Sequence, residues 1–315
     1  ATPAQEVAII IAEAVALTEG GIKAGLNPDD FVSRFSSQMH IGSDFFEEIA
    51  KFRSFRRLWA RTMSERFGCK NPRSLQYRIH VHTGGSTLTM EQPLNNICRT
   101  SLQVLACILG GVQSLHTASY DEAIGIPSED AVRTAIRINQ IILNEPNIDK
   151  VTDPLGGSYY IESLTNSVER EAERILSEID SRGGYIKCIE NGWIRQLLKE
   201  QCIKWRDEID SGKKTVVGLS KFKMEEEKPI PRFTQDIEEV ERQAIERVRK
   251  WRNNRDNQAA KQALEKVSRA MDQFKSVEQA GILMPTLIEA ARAKCTLGEM
   301  MGAIVDVSGG LVYCS

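Results

Sequence analysis

Helical and strand-like patterns of apolar residues alternate along the first half of the chain. Apolar residues recur at intervals of three and four positions in four segments, which predicts amphipathic helices at residues 3–24, 45–63, 89–110 and 128–145. Short segments with strand character separate them, at residues 31–42, 77–82 and 112–117. Strand–helix units that recur at intervals of roughly 35 to 40 residues predict parallel strands joined by right-handed crossovers.

Two short polar motifs indicate where helices begin. Thr89 is followed by Gln92, and Ser119 is followed by Glu122, with the spacing of a capping box. We therefore expect one helix to start at Thr89 and another near Ser119, ahead of the longer helix from about residue 128. Because apolar residues surround most of the helix that follows Thr89, we expect that helix to be well buried.

The second strand candidate separates two fold classes. Ile79 and Val81 face one side of it, whereas Arg78, His80 and His82 face the other. A doubly wound sheet buries both faces and requires apolar residues on each, but a barrel around a polar ligand accepts arginine and histidine inside. The pattern therefore favours an α/β fold of the barrel type.

The pattern becomes mainly helical after residue 153. A helical stripe runs through residues 161–179, and more amphipathic helix extends to about residue 209. VVGL at 216–219 is a short strand candidate, and the charged, proline-containing segment 221–233 predicts an exposed connector. Thr296 and Glu299 form one further capping box in the helical remainder.

This organisation predicts three parts in the chain. The first holds the barrel strands and their helices, the second is a helical extension with a short strand, and the third is a charged linker followed by helices. Their expected bounds are residues 1–165, 166–225 and 226–315.

Composition excludes several classes of partner. The formal net charge is −2 and no basic stretch follows a phosphate backbone, so we do not expect nucleic acid to bind. The apolar runs are shorter than a membrane span, and we expect no signal peptide, because the first residues lead directly into an amphipathic helix. Seven scattered cysteines without a CxxC pair are typical of reduced thiols, which predicts a cytoplasmic protein.

All four histidines lie at or near the ends of the strand candidates. They are His40, His80, His82 and His116. In parallel α/β folds, the carboxyl ends of the strands and the loops after them carry the functional site. We therefore predict a site at this edge, although a core histidine with one satisfied hydrogen bond remains the alternative for each of them.

His80 and His82 also admit a zinc interpretation, because two histidines two positions apart on a barrel strand can chelate a metal. Such a site usually needs a carboxylate from a strand end. The groups expected on the inner face are instead neutral, namely Ser36, Gln38, Thr83 and Gln113. Neutral hydrogen-bonding groups suit recognition of carbonyls and amides. Since no GxSxG motif occurs and no cysteine lies beside a histidine, chemistry supplied by a cofactor fits better than metal hydrolysis.

Gly84 and Gly85 end the histidine strand, at a point where a bulky ligand would have to approach the backbone. An ordinary turn explains the pair equally well. The glycines form neither a GxGxxG motif nor a P-loop, so nucleotide-phosphate binding is not indicated.

Longer motifs add a family signal. They are FVSRFSSQMHIG, FRSFRRLWARTM, KNPRSLQYR, RIHVHTGGSTLTMEQPLNN, GGVQSLHTASYDEAIGIPSE, VTDPLGGSYYIE, VVGLSKF and LIEAARAKCTLGEM. In order and spacing, over about residues 1–303, they resemble the large catalytic subunit of the methylmalonyl-CoA mutase family. The resemblance implies a (β/α)8 TIM-type barrel and the rearrangement of acyl-CoA thioesters through radicals formed from adenosylcobalamin. It places this chain at strands six to eight, followed by a mainly helical C-terminal region.

The resemblance also implies roles for individual residues. Arg34 and Ser36 correspond to contacts with the CoA part of the substrate. His80 and Gln113 correspond to groups that line the reaction cavity. The positions that contact the corrin ring of the cofactor are Gly85, Glu122 and Gly125.

Three departures from the family pattern qualify these implications. His82 stands where the family usually has glutamine, so isobutyryl-, 2-hydroxyisobutyryl- and ethylmalonyl-CoA stay open as substrates beside methylmalonyl-CoA. No Asp-x-His-x-x-Gly motif is present, which implies that a separate small cobalamin-binding subunit supplies the cobalt ligand. The first five strands are missing, which implies an N-terminal barrel half or a second copy as partner.

Two other classes of function stay open at this stage. One is a non-catalytic scaffold that keeps the fold and binds a partner protein. The other is a metal-dependent barrel hydrolase that uses His80 and His82.

Overall fold

The computed structural model describes residues 1–225, 236–274 and 280–309. Three strands are present in this part of the chain: β1 (Ser36–Ile41), β2 (Arg78–Thr83) and β3 (Ser114–His116). The first helices are α1 (Pro3–Lys23), α2 (Pro28–Phe31), α3 (Phe45–Arg61), α4 (Asn95–Leu109), α5 (Glu129–Asn144) and α6 (Tyr159–Ser181). The later helices are α7 (Tyr185–Glu190), α8 (Trp193–Asp210), α9 (Ile237–Asn253), α10 (Asn257–Gln273), α11 (Ala280–Arg292) and α12 (Leu297–Ser308).

The strands form one parallel sheet in the order β1-β2-β3. Its two faces differ as the alternation in β2 predicts. Ile79 and Val81 are buried, together with Met39 and Ile41 of β1, in a core that also contains residues of α1, α3, α4 and α6. The opposite face carries the polar residues and is partly or fully exposed. One face of this α/β sheet is thus covered by helices and the other is bare within the described residues.

Local sequence explains where the helices of the first layer begin. Thr2 and Gln5 form a capping box at the start of α1, and Pro3 occupies the first helical position, where its missing N–H costs nothing. Asp44 caps α3 by accepting from the N–H of Glu47. The predicted helices at residues 3–24 and 45–63 are therefore confirmed.

The helix expected from Thr89 begins six residues later, so that prediction was wrong. The hydroxyl of Thr89 donates to the carbonyl oxygen of Glu91, and Gln92 has a left-handed backbone with φ of +46°. Gln92 precedes a proline, Pro93, which disfavours the helical conformation at Gln92 and prevents the helix from running through it. α4 instead starts at Asn95 without a side-chain cap.

Burial of α4 is also lower than its composition predicts. Leu94, which precedes the helix, and Leu102 within it are exposed. Val104 and Cys107 are buried, and Cys107 belongs to the core described above. An apolar surface all round a helix indicates burial only where neighbours cover every side. Here one side of the helix stays uncovered within the described residues.

The capping motif at Ser119 does not start a helix. Residues 120–126 form turns, in which the N–H of Gly125 donates to the carbonyl oxygen of Asp121. The carboxylate of Asp121 in turn accepts from the N–H of Ser128, and the Ser128 side chain caps α5. The longer helix from about residue 128 is therefore confirmed, and the shorter one before it is replaced by a turn.

The region after α8 contains no strand at residues 216–219. Val217 makes a single isolated bridge with Lys221, and the surrounding residues are turns. The predicted connector at 221–233 falls only partly within the described residues, since 226–235 lie outside them. The capping box of Thr296 and Glu299 is confirmed at the start of α12.

The chain divides into two compact units, Ala1–Phe233 and Thr234–Ser315. The first contains the sheet and α1 to α8. The second has its own small core of buried residues from α10 to the start of α12, including Val267 and Ala290. The three-part division drawn from the sequence stays a prediction. None of the described helices is both long and apolar enough to cross a membrane.

Candidate functional site

The polar residues of the exposed sheet face fall into three rows across the strands. At the carboxyl end, the parallel register aligns His40, His82 and His116, a set called the histidine row below. One step back, Gln38, His80 and Ser114 are aligned in the same way. At the amino end, Ser36 lies opposite Arg78. The sheet therefore brings all four histidines of the chain to one face, as the sequence predicts.

The imidazoles of the histidine row lie close to one another. The ring centroids of His82 and His116 are 4.3 Å apart and the rings are stacked at 26°, while His40 and His82 are 6.3 Å apart. Burial and the imidazole of His82 lower the pKa of His116, and His80 adds to the shift although Glu122 opposes it. Near neutral pH the His116 ring is therefore held in its uncharged form.

Hydrogen bonds orient two of the rings. His82 Nδ1 lies 2.9 Å from the carbonyl oxygen of Thr83, which can only accept, so Nδ1 carries the proton and Nε2 is left as an acceptor in the neutral ring. His80 Nδ1 lies 2.8 Å from the hydroxyl of Ser114, its neighbour in the second row. Both rings are thereby fixed by β2 and β3 themselves, without help from a distant loop.

Two residues that were expected to line the polar face do not present their side chains there. Gln113 Oε1 accepts from the N–H of Ile79 at 2.8 Å, and Gln113 Nε2 donates to the carbonyl oxygen of Gly111 at 2.8 Å. Thr83 is buried, and its hydroxyl accepts from the N–H of Ala118. The expected place of Thr83 was wrong because Thr83 shares the parity of Ile79 along β2 and faces the core.

Arg34 and Ser36 lie at the other end of the sheet from the histidine row. Arg34 is exposed in a short 3-10 turn, residues 32–34, and Ser36 is the first residue of β1. Four residue-to-residue steps along the strand lead from Ser36 to His40, which corresponds to about 13 Å. The structure thus places the expected CoA contacts at the amino end of β1. The expected cavity residue His80 lies on β2 opposite Gln38, one row short of the histidine row, and Gln113 lies just before β3.

The two glycines after β2 differ in what the fold requires of them. A Cβ added to Gly84 would lie 2.6 Å from the carbonyl oxygen of Ile41, so a side chain here requires the backbone to shift. A Cβ added to Gly85 would meet only Glu122 Oε1, at an ordinary contact distance of 3.6 Å. Packing within the chain therefore explains Gly84 but not Gly85. The space beside Gly85 and Glu122 fits the close approach of a large flat group to the backbone.

Gly125 lies in the exposed turn that follows Glu122. The side chain of Asp121, the residue before Glu122, is buried and holds the turn against the start of α5. Among the described residues, no group of three or more His, Cys, Asp and Glu side chains is arranged to hold a metal ion.

Sequence reasoning missed a cluster of charged residues behind β1. Lys51 of α3 is buried and forms ion pairs with Glu6 of α1 and with Glu48. Glu6 and Lys51 also hydrogen-bond the backbone of His40. The one available signal was a lysine between Ile49 and Phe52, in the apolar stripe of α3.

Comparison with known proteins agrees with the motif resemblance. The family model described as methylmalonyl-CoA mutase matches residues 1–310, which extends past about residue 303, where the motif resemblance ends. The chain is 40% identical over 311 residues to the 2-hydroxyisobutanoyl-CoA mutase large subunit of Aquincola tertiaricarbonis, covering 98% of this chain and 54% of that protein. It is 39% identical over 305 residues to the mitochondrial methylmalonyl-CoA mutase of Mus musculus, covering 96% and 40% of the two chains.

A third relative is the methylmalonyl-CoA mutase of Rhizobium meliloti, which is 37% identical over 309 residues, covering 98% of this chain and 43% of that protein. The chain thus spans about half the length, or less, of the curated relatives it matches. Since the family model covers nearly all of its residues, the chain belongs to the methylmalonyl-CoA mutase family.

Proposed function

We propose that the chain is the C-terminal part of the catalytic subunit of an adenosylcobalamin-dependent acyl-CoA mutase. In this proposal β1, β2 and β3 are strands six to eight of a (β/α)8 barrel, and the exposed face is part of its lumen. The observation that carries the proposal is the sheet itself: three parallel strands, apolar on the helix side, with four histidines on the other side near the carboxyl ends. That is where barrel enzymes place their sites.

The cofactor, when bound, supplies the radical that starts the rearrangement. The residues that would face its corrin ring are Gly85, Glu122 and Gly125. Gly85 supports this assignment because nothing within the described residues requires a glycine there, so its missing side chain is free to serve a ligand. The chain's own task is to bind, orient and exclude water around the reacting acyl group.

His80 is the residue we assign to the reaction cavity. Its Nδ1 is engaged by Ser114, so the ring is fixed and its Nε2 is the atom that faces a substrate carbonyl. Gln113, which the resemblance places in the same cavity, acts in our proposal through Ile79, because both ends of its amide are hydrogen-bonded to backbone. It is therefore a positioning residue that sets the place of β2 beside β3.

Arg34 and Ser36 are the proposed contacts for the CoA part of the substrate. Their place at the amino end of β1 supports an extended ligand that runs along the strand toward the histidine row, over about 13 Å. The guanidinium of Arg34 is exposed, and so is the side chain of Ser36. A positive charge and a hydroxyl suit the phosphate or amide groups of such a carrier.

Interconversion of methylmalonyl-CoA and succinyl-CoA is the first candidate reaction. The second is a mutase for 2-hydroxyisobutyryl-CoA or a related branched acyl-CoA, and His82 is the observation that favours it. The His82 ring is half-buried in the histidine row, and its Nε2 is an acceptor at the point where the family usually has an amide. An acceptor there suits a hydroxyl on the acyl group.

Two protein partners and a location complete the proposal. A separate small subunit would supply the cobalt ligand, and an N-terminal barrel half would pair with the sheet edges. Within the described residues β1 and β3 each have one neighbouring strand, so each leaves an edge open to pairing. We place the assembled enzyme in the cytoplasm.

The test is co-expression of the chain with the part of the Aquincola tertiaricarbonis large subunit that lies outside the match, followed by addition of a cobalamin-binding subunit and adenosylcobalamin. We expect a complex that isomerises one of the acyl-CoA substrates named above. His80→Ala should abolish turnover, whereas the control Arg133→Ala, on the exposed side of α5, should leave it unchanged.

Other outcomes decide between the alternatives. A stable complex that binds the cofactor but isomerises no acyl-CoA would favour the scaffold. Stoichiometric zinc in the purified chain, lost on His80→Ala, would favour the hydrolase.

A further inference from the structure

The outer edge of β1 is the edge that does not pair with β2. At His40, the side chains of two helical residues occupy this edge. The N–H of His40 donates to Glu6 Oε1 at 2.8 Å, and its carbonyl oxygen accepts from Lys51 Nζ. The carbonyl oxygen of Ile41 accepts from Gly84 of the loop after β2, so Ile41 points its backbone toward β2 and the adjacent His40 points away from it. Glu6 and Lys51 therefore take the place that a neighbouring strand would otherwise fill.

A buried ion triad supports this contact. Lys51 is only 1% exposed and lies between the carboxylates of Glu6, at 2.8 Å, and Glu48. Glu48 also accepts from the N–H of Gly42, the first residue after β1. Burial alone would lower the pKa of Lys51, but the two carboxylates outweigh it and raise the pKa above its ordinary value. Lys51 thus stays charged and contacts three groups at once, namely the two carboxylates and the carbonyl oxygen of His40.

Stability alone is a poor explanation for such an arrangement. Replacing a buried ion pair or triad by apolar residues of similar size is often neutral or stabilising, because the desolvation of the charges offsets their attraction. The triad instead fixes the position of backbone groups. It fixes both backbone groups of His40 and the amide that follows β1, at the end of the strand where the histidine row lies.

We propose that Glu6 and Lys51 are positioning residues of the candidate site. They fix the outer side of the carboxyl end of β1, and with it the place of His40 in the histidine row, where no strand pairs with β1 among the described residues. A second consequence concerns the strand edge. A partner strand can pair with the outward backbone groups of Ser36 and Gln38, but its pairing has to end before His40, whose groups are taken. The link to catalysis rests on the proposed function, whereas the local geometry can be tested without it.

The test is amide hydrogen exchange of the full chain, measured by NMR. Glu6→Ala removes the acceptor, so exchange at the His40 amide should become about tenfold faster or more. Glu6→Gln keeps an oxygen at the same place and should retain most of the protection. The matched control is Glu19→Ala, which removes another α1 carboxylate, one that pairs with Arg66 and not with β1.

The imidazole NMR resonances of the histidines provide the second readout. The chain has four histidines, so their imidazole resonances are assignable by single substitutions. Glu6→Ala should shift the resonance of His40 and leave that of His80 unchanged. Should Glu6→Ala fail to fold, Glu6→Asp, which keeps the charge but shortens the reach, is measured in its place.

Two results would overturn the proposal. One is exchange at the His40 amide within twofold of the unmodified chain after the acceptor is removed. The other is an equal acceleration at Phe52 and Val81, since a uniform change indicates general loss of stability instead of a local role. Absence of turnover in every assembly, the unmodified chain included, would count against the proposed function alone and would leave these two measurements decisive.

Discussion

The two adjacent glycines after β2 provide a test of the site. Substitution by alanine should lower the free energy of unfolding at Gly84 and raise it at Gly85. Gly84 has φ of −69° and ψ of 104°, which alanine adopts without strain, so a Cβ is penalised there only by its contact at 2.6 Å with the carbonyl oxygen of Ile41. That oxygen belongs to the backbone of β1 and already accepts from the N–H of Gly84. Gly84→Ala must therefore push β1 and the loop apart.

The expected magnitudes follow from these contacts. Overpacking of this kind costs about 1 to 3 kcal/mol. Gly85 lies outside the left-handed region of backbone space, and its added Cβ has ordinary contact with Glu122, so Gly85→Ala should stabilise the chain by about 0.4 to 1 kcal/mol through the unfolded state. The two variants should differ by about 1.4 to 4 kcal/mol in free energy of unfolding.

The assay is urea unfolding of the chain followed by tryptophan fluorescence; of the four tryptophans, Trp59 is fully buried in the core of the first unit. Cobalamin binding to the assembled enzyme is measured in parallel from its visible absorption. Gly85→Leu should weaken that binding about tenfold or more, equivalent to about 1.4 kcal/mol, while the chain itself unfolds at nearly the urea concentration of the unmodified chain.

An equal free energy of unfolding for Gly84→Ala and the unmodified chain would refute this prediction, because the short contact would then be relieved at no cost. The prediction also fails if Gly85→Ala is as destabilised as Gly84→Ala, which would make Gly85 a structural glycine. Equal cobalamin affinity for Gly85→Leu and the unmodified enzyme would separate Gly85 from the cofactor.

Three further predictions concern the histidine row and the helix layer. His82→Gln should change the ratio of rates on methylmalonyl-CoA and 2-hydroxyisobutyryl-CoA in the assembled enzyme; a parallel change in both rates would assign His82 to general positioning. Because the pKa of His116 is lowered in the folded chain, the unfolded chain binds a proton on this ring at a higher pH than the folded chain does. The free energy of unfolding should therefore fall as the pH drops below about 6.5, and His116→Gln should reduce this decline in urea titrations between pH 7 and 5. Glu169→Gln leaves Arg57 and Arg61 without their shared, buried carboxylate and should lower the free energy of unfolding by about 1 to 3 kcal/mol, whereas an unchanged urea midpoint would show that these ion pairs contribute nothing.

The alternation of residues in β2 was the most informative pattern in the sequence. A period of two assigns each side chain to a face as soon as one face is known to be apolar. The burial of Ile79 and Val81 and the exposure of Arg78 follow from it. The same rule, applied one residue further, places Thr83 on the core side.

Helix starts were harder to predict because a capping motif competes with its surroundings. At Thr89 the motif meets Pro93, which keeps Gln92 out of the helical conformation. At Ser119 the buried carboxylate of Asp121 bonds the N–H of Ser128 and holds the intervening residues in turns. Neither competitor can be weighed from local propensity alone, since each acts through a neighbour along the chain or in space.

Long-range polar contacts could not be predicted, because no pattern in the sequence indicates which residues pair. The amide of Gln113 bonds a strand 34 residues earlier, and the carboxylate of Glu6 bonds a strand 34 residues later. Such pairs depend on how helices and strands are placed against each other. No spacing along the sequence indicates that placement.

In the proposed function, the separation between Ser36 and His40 lets β1 set the length of the substrate that fits. A strand rises about 3.3 Å per residue and cannot be stretched, so the distance from the carrier contacts to the reacting end is set by the residue count of β1. An acyl carrier shorter by one such step would leave its thioester short of the histidine row, whatever the shape of its acyl group. Two residues inserted into the middle of β1 would keep every side chain on its face but would lengthen this distance by about 7 Å. Selection among acyl carriers would then begin with length, before any side chain touches the acyl group.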